Sequence, residues 1–305
     1  MDMAGFAGLS RGELALLIGV LGLLVGSFLN VVIHRLPKML ERQWAAECAG
    51  LEDSRENDGP VPGAASATAA PSTETPYNLM VPRSACPACG HAIRWYENLP
   101  VVSYLALHGR CAGCGTRIGA RYPLVELATA MLFAWCAWHG HAPGQGPWAA
   151  LAWCGFSAAL LTLALIDWDT TLLPDDITLP LLWAGLLAAI FKLTGVTLAD
   201  AVWGAVAGYL SLWSVYWLFK LATGKEGMGY GDFKLFAAFG AWFGWQALVP
   251  IILMASVIGV VVGVALKLNH NLREGGYVPF GPFLAGAGFT AMVVGPAQML
   301  RAVGL

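Results

Sequence analysis

Residues 233 to 267 read FKLFAAFGAWFGWQALVPIILMASVIGVVVGVALK, an almost uninterrupted apolar run. One membrane crossing takes about 20 residues, so this run is too long for a single helix. The polar break Gly244-Trp245-Gln246 predicts that it folds into two helices instead. Six further apolar stretches of spanning or near-spanning length lie at 14–33, 123–138, 148–166, 177–191, 198–219 and 278–300. The pattern predicts an all-α polytopic membrane protein with about eight transmembrane helices.

The composition supports this class. Of the 305 residues, 57% are hydrophobic and 12% are charged, and the mean hydropathy is +0.63, which excludes an ordinary soluble globule. The first apolar stretch has no basic cluster before it and no small-residue cleavage site after it, so we expect a retained helix rather than a signal peptide. The net charge of −2 gives no sign of nucleic-acid binding. The expected partner of the apolar surface is the lipid bilayer.

The basic residues predict the orientation, because Lys and Arg are enriched in cytoplasmic loops. With the N-terminus outside, only Arg11, Lys192 and Arg301 remain outside, which leaves fourteen of the 17 basic residues in the cytoplasm. The same threading places the end of the third span and the start of the sixth at the cytoplasmic face.

The chain divides into three expected regions. Residues 1–36 form the first transmembrane helix, and Pro37 is expected to stop it because proline lacks the N–H that continues a helix. Residues 37–122 form a cytoplasmic loop, in which 45–76 is rich in Ala, Ser, Thr, Gly, Pro and Glu and is expected to be a mobile insert. A zinc domain is expected over 84–118. Residues 123–305 form the membrane core.

Four cysteines of the cytoplasmic loop form two Cys-x-x-Cys-Gly motifs, at Cys86, Cys89, Cys111 and Cys114. Two such knuckles can place four thiolates around one Zn²⁺, and the glycine is expected to leave room for backbone amides near the sulfurs. Disulfides or a redox pair are the alternatives, and a reducing cytoplasm disfavours disulfides. A closed four-thiolate site keeps no position for water, so the zinc is expected to be structural.

Two carboxylates lie at the ends of apolar stretches. Asp232 follows Gly229-Tyr230-Gly231, and Asp167 ends the stretch 148–166. An Asp near the middle of a membrane helix costs about 2.5 to 3.5 kcal/mol on insertion scales, so acids at such positions are functional candidates. If the two acids share a water, like-charge repulsion leaves one protonated and one ionised, a pair able to hydrolyse a peptide bond. A transporter that binds a proton or ion is equally compatible with the charges and their spacing.

The neighbouring residues suggest simpler roles for the other acids. Asp175 and Asp176 precede the stretch 177–191 and are expected to cap a helix N-terminus. Asp169 is expected to be a solvated or interface acid. Glu126 could help to bind substrate or could pair with Arg121, and the sequence does not rank these roles.

Several blocks resemble the type IV prepilin leader peptidase and N-methyltransferase family, which belongs to the membrane aspartyl peptidases with a Gly-x-Gly-Asp motif. The match spans nearly the whole chain and is specific because the order, spacing and membrane placement of the blocks agree. The blocks are Gly26 to Pro37, the two Cys-x-x-Cys motifs with Arg121 to Glu126, Asp167 with Leu173-Pro174-Asp175, Gly227 to Lys234, and Tyr277 to Phe283.

The resemblance implies that Asp167 and Asp232 are the catalytic dyad and that Gly229, Gly231 and Lys234 support a substrate loop. It implies prepilin and pseudopilin substrates, from type IV pilus and type II secretion systems, cut on the cytoplasmic side of the bacterial inner membrane after a short basic leader. The new N-terminus would then be methylated with S-adenosylmethionine. The methyl donor's site has no motif here and is expected between the cytoplasmic domain and the helix ends. An ion-coupled transporter with a zinc-ribbon appendage is the alternative function.

Overall fold

The computed structural model describes residues 10–56, 77–139, 147–269 and 278–302. In these ranges the chain forms helices and two isolated antiparallel bridges but no strand, which confirms the all-α class for the described part. Short 3₁₀ turns lie at Trp95–Asn98 and Trp245–Ala247. The α-helices are α1 (Arg11–Glu56), α2 (Val102–Ala106), α3 (Arg121–His139), α4 (Pro147–Thr170), α5 (Asp175–Ile190), α6 (Leu198–Thr223), α7 (Tyr230–Phe243), α8 (Leu248–Leu268), α9 (Gly281–Val294) and α10 (Pro296–Ala302).

Four helical segments are long and apolar enough to cross a membrane, namely Arg11–Leu51, Pro147–Thr170, Leu198–Thr223 and Trp245–Leu268. On α8, Val257, Val260 and Val264 are all exposed and share one helix face, as expected for a lipid-facing surface. The chain is therefore a membrane protein. The other predicted stretches also contain helices, but the total of eight spans stays a prediction.

The predicted break in the run 233–267 is confirmed. Helix α7 ends at Phe243, and Gly244 follows it with a φ of +81°, which favours glycine. The 3₁₀ turn then leads into α8. The break separates a short, almost fully buried helix from a long, lipid-exposed one.

The expected end of the first helix at Pro37 is wrong, because α1 continues to Glu56. Proline removes one backbone hydrogen bond, but tertiary contacts hold the chain on both sides of it. Arg35 donates to the Asn78 carbonyl at 3.0 Å, and the Arg42 guanidinium lies 4.2 Å from the centre of the Tyr77 ring. Residues 41–49 are also rich in good helix formers. The first part of the expected mobile insert 45–76 is therefore helical, and residues 57–76 lie outside the described residues.

Helix α7 is held at the centre of the bundle by close backbone packing and aromatic contacts. A Cβ on Gly204 of α6 would overlap the Gly240 backbone of α7, and a Cβ on Gly208, four residues along α6, would lie 2.7 Å from the Phe236 carbonyl oxygen of α7. This small-residue spacing lets two membrane helices approach each other. On another face of α7, the Trp242 indole donates to the Leu181 carbonyl of α5 at 2.9 Å. These contacts fix the position of α7, whose first turn carries Asp232.

Candidate active site and metal centre

The structure brings Asp167 and Asp232 to one cavity of about 360 Å³. Asp167 lies near the end of α4, and Asp232 lies in the first turn of α7. Their exposed fractions are 5% and 4%. Two buried carboxylates that line one cavity are the arrangement predicted for an acid pair, and the catalytic role of each stays a prediction.

The helix start orients Asp232. Its backbone N–H donates to the Gly229 carbonyl at 3.2 Å, and its side chain lies in the first turn of α7. Its Oδ1 atom is buried and accepts no hydrogen bond from the described residues. This acceptor is therefore available to a molecule in the cavity.

Gly281, the first residue of α9, lies directly against Asp167. A Cβ added at Gly281 would lie 2.6 Å from Asp167 Oδ2 and 3.0 Å from its Cγ. Only glycine lets the α9 backbone approach the carboxylate this closely. The sequence placed Gly281 in a family block, but no signal in the sequence connected it with Asp167. The first residue of that block, Tyr277, lies outside the described residues.

The two glycines before Asp232 have different surroundings. A Cβ on Gly231 would lie 2.5 Å from the Leu173 Cβ, whereas a Cβ on Gly229 would meet only Asp232 Oδ2, at 3.8 Å. Gly231 is therefore required by the packing of α7 against the segment before α5. Gly229 lines the cavity without such a contact. Their expected role in supporting a substrate loop stays a prediction.

Lys234 joins α7 to α5 beside the cavity. Its Nζ donates to both carboxylate oxygens of Asp175, each at 2.6 Å. The predicted capping role of Asp175 and Asp176 is wrong in detail, because Pro174 is the N-cap residue and the two acids lie in the first turn of α5. Asp175 therefore serves as the partner of Lys234 as well as an acid at a helix N-terminus.

The continuation of α1 supplies a wall of the cavity that the sequence did not predict. Leu40 and Trp44 line the cavity together with the two acids. Both residues follow Pro37, so the prediction that the helix ends at Pro37 did not place them beside the two acids. Trp44 is 48% exposed and offers a large apolar surface beside the carboxylates.

The four predicted metal ligands form one cluster. The sulfur atoms of Cys86, Cys89, Cys111 and Cys114 all lie within 4.8 Å of one another, with Cys86 to Cys114 at 3.9 Å and Cys89 to Cys111 at 4.0 Å. Four thiolates at the usual Zn–S distance of about 2.3 Å have tetrahedral edges of about 3.8 Å. The donor set and its spacing therefore fit a tetrahedral zinc ion, and these sulfurs are too far apart to be disulfides.

The two knuckles have the same backbone geometry. In each, the glycine after the second cysteine donates to the carbonyl of the first at 2.9 Å. Gly90 and Gly115 both have a φ of +71°, and a Cβ on either would meet nothing within 4 Å. Glycine is required here for its left-handed backbone and not, as predicted, for space. The Thr116 hydroxyl lies 3.1 Å from the Cys114 sulfur. Hydrogen bonds from the Thr116 side chain and backbone, together with those of Cys89 and Cys111, lower the pKa of the Cys114 thiol to about 6, which favours the metal-binding thiolate.

The remaining cysteines and histidines are not part of this cluster. Cys136 and Cys154 are buried in the bundle among apolar residues, and Cys48 is exposed. His91 lies 3.1 Å from the Glu97 carboxylate.

Glu126 joins the four-cysteine domain to the membrane helices. Its Oε2 accepts the backbone N–H of Val101 at 2.8 Å. Val101 has a φ of +58°, which a β-branched residue rarely adopts, so the buried carboxylate holds a strained point of the domain. The proposed pairing with Arg121 is wrong, because Arg121 binds Asp169 with a nitrogen to oxygen distance of 2.7 Å. Asp169 is exposed, as predicted for a solvated acid.

The fold and the site define the class of this protein, which is a membrane protein with a buried acid pair and a four-cysteine cluster. Comparison with known proteins gives its family. Residues 20–140 match the bacterial peptidase A24 N-terminal domain, and residues 154–264 match the type IV leader peptidase family. The chain belongs to this family.

Relatives named prepilin leader peptidase/N-methyltransferase match over most of their length. The Pseudomonas aeruginosa protein is 55% identical over 277 residues, which cover 90% of this chain and 89% of the relative. The Aeromonas hydrophila protein is 53% identical over 281 residues, or 92% and 90% of the two chains. The Burkholderia pseudomallei protein is 51% identical over 295 residues, or 96% and 89%. No solved structure matches this chain.

Proposed function

We propose that this protein cleaves the leader from type IV prepilins and pseudopilins and then N-methylates the new N-terminus. The observation that carries the peptidase half is the pair of buried carboxylates, Asp167 and Asp232, that line one cavity. The family match and the names of the relatives support peptide cleavage over ion transport, which the charges alone left equally open.

The cleavage step needs one acid in each protonation state. Like-charge repulsion in a buried site leaves one of the two carboxyls protonated. The ionised acid takes a proton from water as the water oxygen bonds to the peptide carbonyl carbon, while the protonated acid donates to the carbonyl oxygen. The C–N bond then breaks as the leaving nitrogen takes a proton from the dyad. The products are a free leader carboxylate and a new amino terminus, and no serine or cysteine nucleophile is required.

The surroundings of the dyad fit a peptide substrate. The two acids and the apolar side chains of Leu40 and Trp44 line the same cavity. The excess of basic residues in the loops at this end of the bundle supports a position on the cytoplasmic side of a bacterial inner membrane. A precursor inserted with its leader inside would present its cleavage site at this face.

The methyl-transfer half follows from the N-methyltransferase name of the relatives. S-adenosylmethionine, when bound, supplies an electrophilic methyl group on its sulfonium sulfur. The protein must hold the new amine near that methyl group, exclude water and accept the amine proton. Cys86, Cys89, Cys111 and Cys114 would hold zinc as a closed structural site that stabilises the cytoplasmic domain.

Cleavage of a purified prepilin in detergent tests the dyad. Asp167→Asn and Asp232→Asn should each abolish prepilin cleavage. The amide of Asn can neither take a proton from the attacking water nor act as the acid that donates one to the substrate. Asp200→Asn is the matched control, since Asp200 lies at the opposite end of α6 from the cavity and an Asn oxygen can still accept from Thr197. Wild-type cleavage by either dyad variant, with an unchanged melting temperature, would remove that acid from the mechanism.

A further inference from the structure

We infer that a second cavity, between the first Cys-x-x-Cys knuckle and α2, binds the methyl donor S-adenosylmethionine. We call it the domain cavity, and it is lined by His91, Arg94, Tyr96, Glu97, Ser103 and Ala106 among others. The inference rests on the proposed methyl-transfer function and assigns that function to particular residues.

The size of the domain cavity suits a small molecule. Its volume is about 450 Å³, within the range of about 300 to 1,000 Å³ that is typical of ligand sites. Its walls come from the segment after Cys89, from α2 and from Ala112, which lies between the second pair of cysteines. Zinc at the neighbouring cluster would fix these walls without occupying the cavity.

The side chains of the domain cavity match the groups of this methyl donor. The donor carries a carboxylate, an ammonium group, a sulfonium cation, ribose hydroxyls and a planar base. Arg94 can bind the carboxylate through its guanidinium, Glu97 can bind the ammonium group or the hydroxyls, and the half-exposed Tyr96 ring can stack on the base. A single anion or a purely apolar ligand would use only part of this set.

Glu97 is held in a fixed orientation before any ligand binds. Its side chain is only 10% exposed. One carboxylate oxygen accepts the Arg94 backbone N–H at 2.9 Å and lies 3.1 Å from the His91 ring nitrogen. A carboxylate oriented in this way recognises a ligand cation or hydroxyl without a further ordering cost.

The contacts of α2 place the domain cavity at the same end of the bundle as the dyad. Val101, immediately before α2, donates to Glu126 on α3. At the start of α3, Arg121 binds Asp169, two residues beyond Asp167. The amine released at the dyad and the donor in the domain cavity therefore lie at one end of the bundle.

Direct binding to the zinc-loaded, full-length protein tests this assignment, and isothermal titration with S-adenosylmethionine is the measurement. Ala106→Trp fills the domain cavity, and Glu97→Gln removes the charge while it keeps an acceptor for the Arg94 N–H. Glu97→Gln should weaken binding at least about tenfold, the effect of a lost charged hydrogen bond. Ala106→Trp should weaken binding by about tenfold or more because the new side chain occupies the cavity. Leu105→Trp is the matched control, because Leu105 lies on the same helix, is 67% exposed and does not line the cavity. All three variants should keep zinc and prepilin cleavage.

The outcomes separate the two levels of the proposal. If the wild-type protein binds no donor, the methyl-transfer function fails. If it binds the donor and Glu97→Gln and Ala106→Trp both bind as tightly, the function stands and the domain cavity is not the site. If Ala106→Trp loses zinc, the donor affinity of Glu97→Gln alone tests the assignment of the domain cavity. Zinc content and prepilin cleavage that match the wild-type values then show that the domain is folded in Glu97→Gln.

Discussion

The contact between Gly281 and Asp167 gives a sharp test of how the dyad is positioned. In Gly281→Ala, the new Cβ would lie 2.6 Å from Asp167 Oδ2, whereas an ordinary contact needs about 3.4 Å. Either the carboxylate or the start of α9 must then move by about 0.8 Å. Because a misplacement of about 1 Å can cost about 100-fold in rate, we expect prepilin cleavage to slow by about two orders of magnitude.

Helix α9 also offers the control for this prediction. A Cβ on Gly286 would meet nothing within 4 Å, so Gly286→Ala makes the same chemical change without touching the dyad. The assay is kcat for prepilin cleavage in detergent, with helix content and melting temperature measured in parallel. We expect Gly286→Ala to cleave at the wild-type rate and both variants to remain folded. Wild-type kcat in Gly281→Ala would refute the argument that the glycine sets the position of Asp167.

Three further results are expected. Gly231→Ala should lower the melting temperature and cleavage because its Cβ would overlap Leu173, while Gly229→Ala should leave the melting temperature unchanged; equal melting of the two variants would contradict this. Trp44→Ala should raise KM for a prepilin more than it changes kcat, because Trp44 lines the cavity but cannot act as an acid or base, and Leu51→Ala, an exposed apolar residue further along α1, should change neither. Elemental analysis should find one zinc per chain and much less in Cys114→Ser, in which limited proteolysis should cut the four-cysteine domain faster; full zinc content in that variant would exclude Cys114 as a ligand.

The features that the sequence predicted are those encoded by local chemistry. The glycine and polar residues at 244–246 break the long apolar run where the structure breaks it, because positive φ and exposed backbone are local properties. The four cysteines likewise predict their own cluster, since each knuckle closes through hydrogen bonds within a few residues.

Tertiary contacts explain why the end of α1 was predicted wrongly. Pro37 is a local signal for a helix end, but the contacts of Arg35 with Asn78 and of Arg42 with Tyr77 join residues about 35 to 43 positions apart in the sequence. Composition was also misleading, because residues 45–56 were grouped with the Pro- and Gly-rich segment that follows them. This wrong helix end also left two residues out of the predicted site, because Leu40 and Trp44 line the dyad cavity only when α1 continues beyond Pro37.

The contacts between the four-cysteine domain and the bundle could not be predicted from the sequence. Each joins a polar side chain to a backbone group or a charge that is far away along the chain. Glu126 accepts from a residue 25 positions earlier, and Arg121 reaches an acid 48 positions later. Both contacts start from the first two turns of α3, so this helix contacts both the four-cysteine domain and the end of α4, the helix that carries Asp167. If a precursor is cut and then methylated as we propose, the two reaction sites must be held in a fixed relation. The buried Glu126 carboxylate and the Arg121–Asp169 pair supply that connection, which gives a physical reason for a costly acid in α3 that plays no part in the dyad.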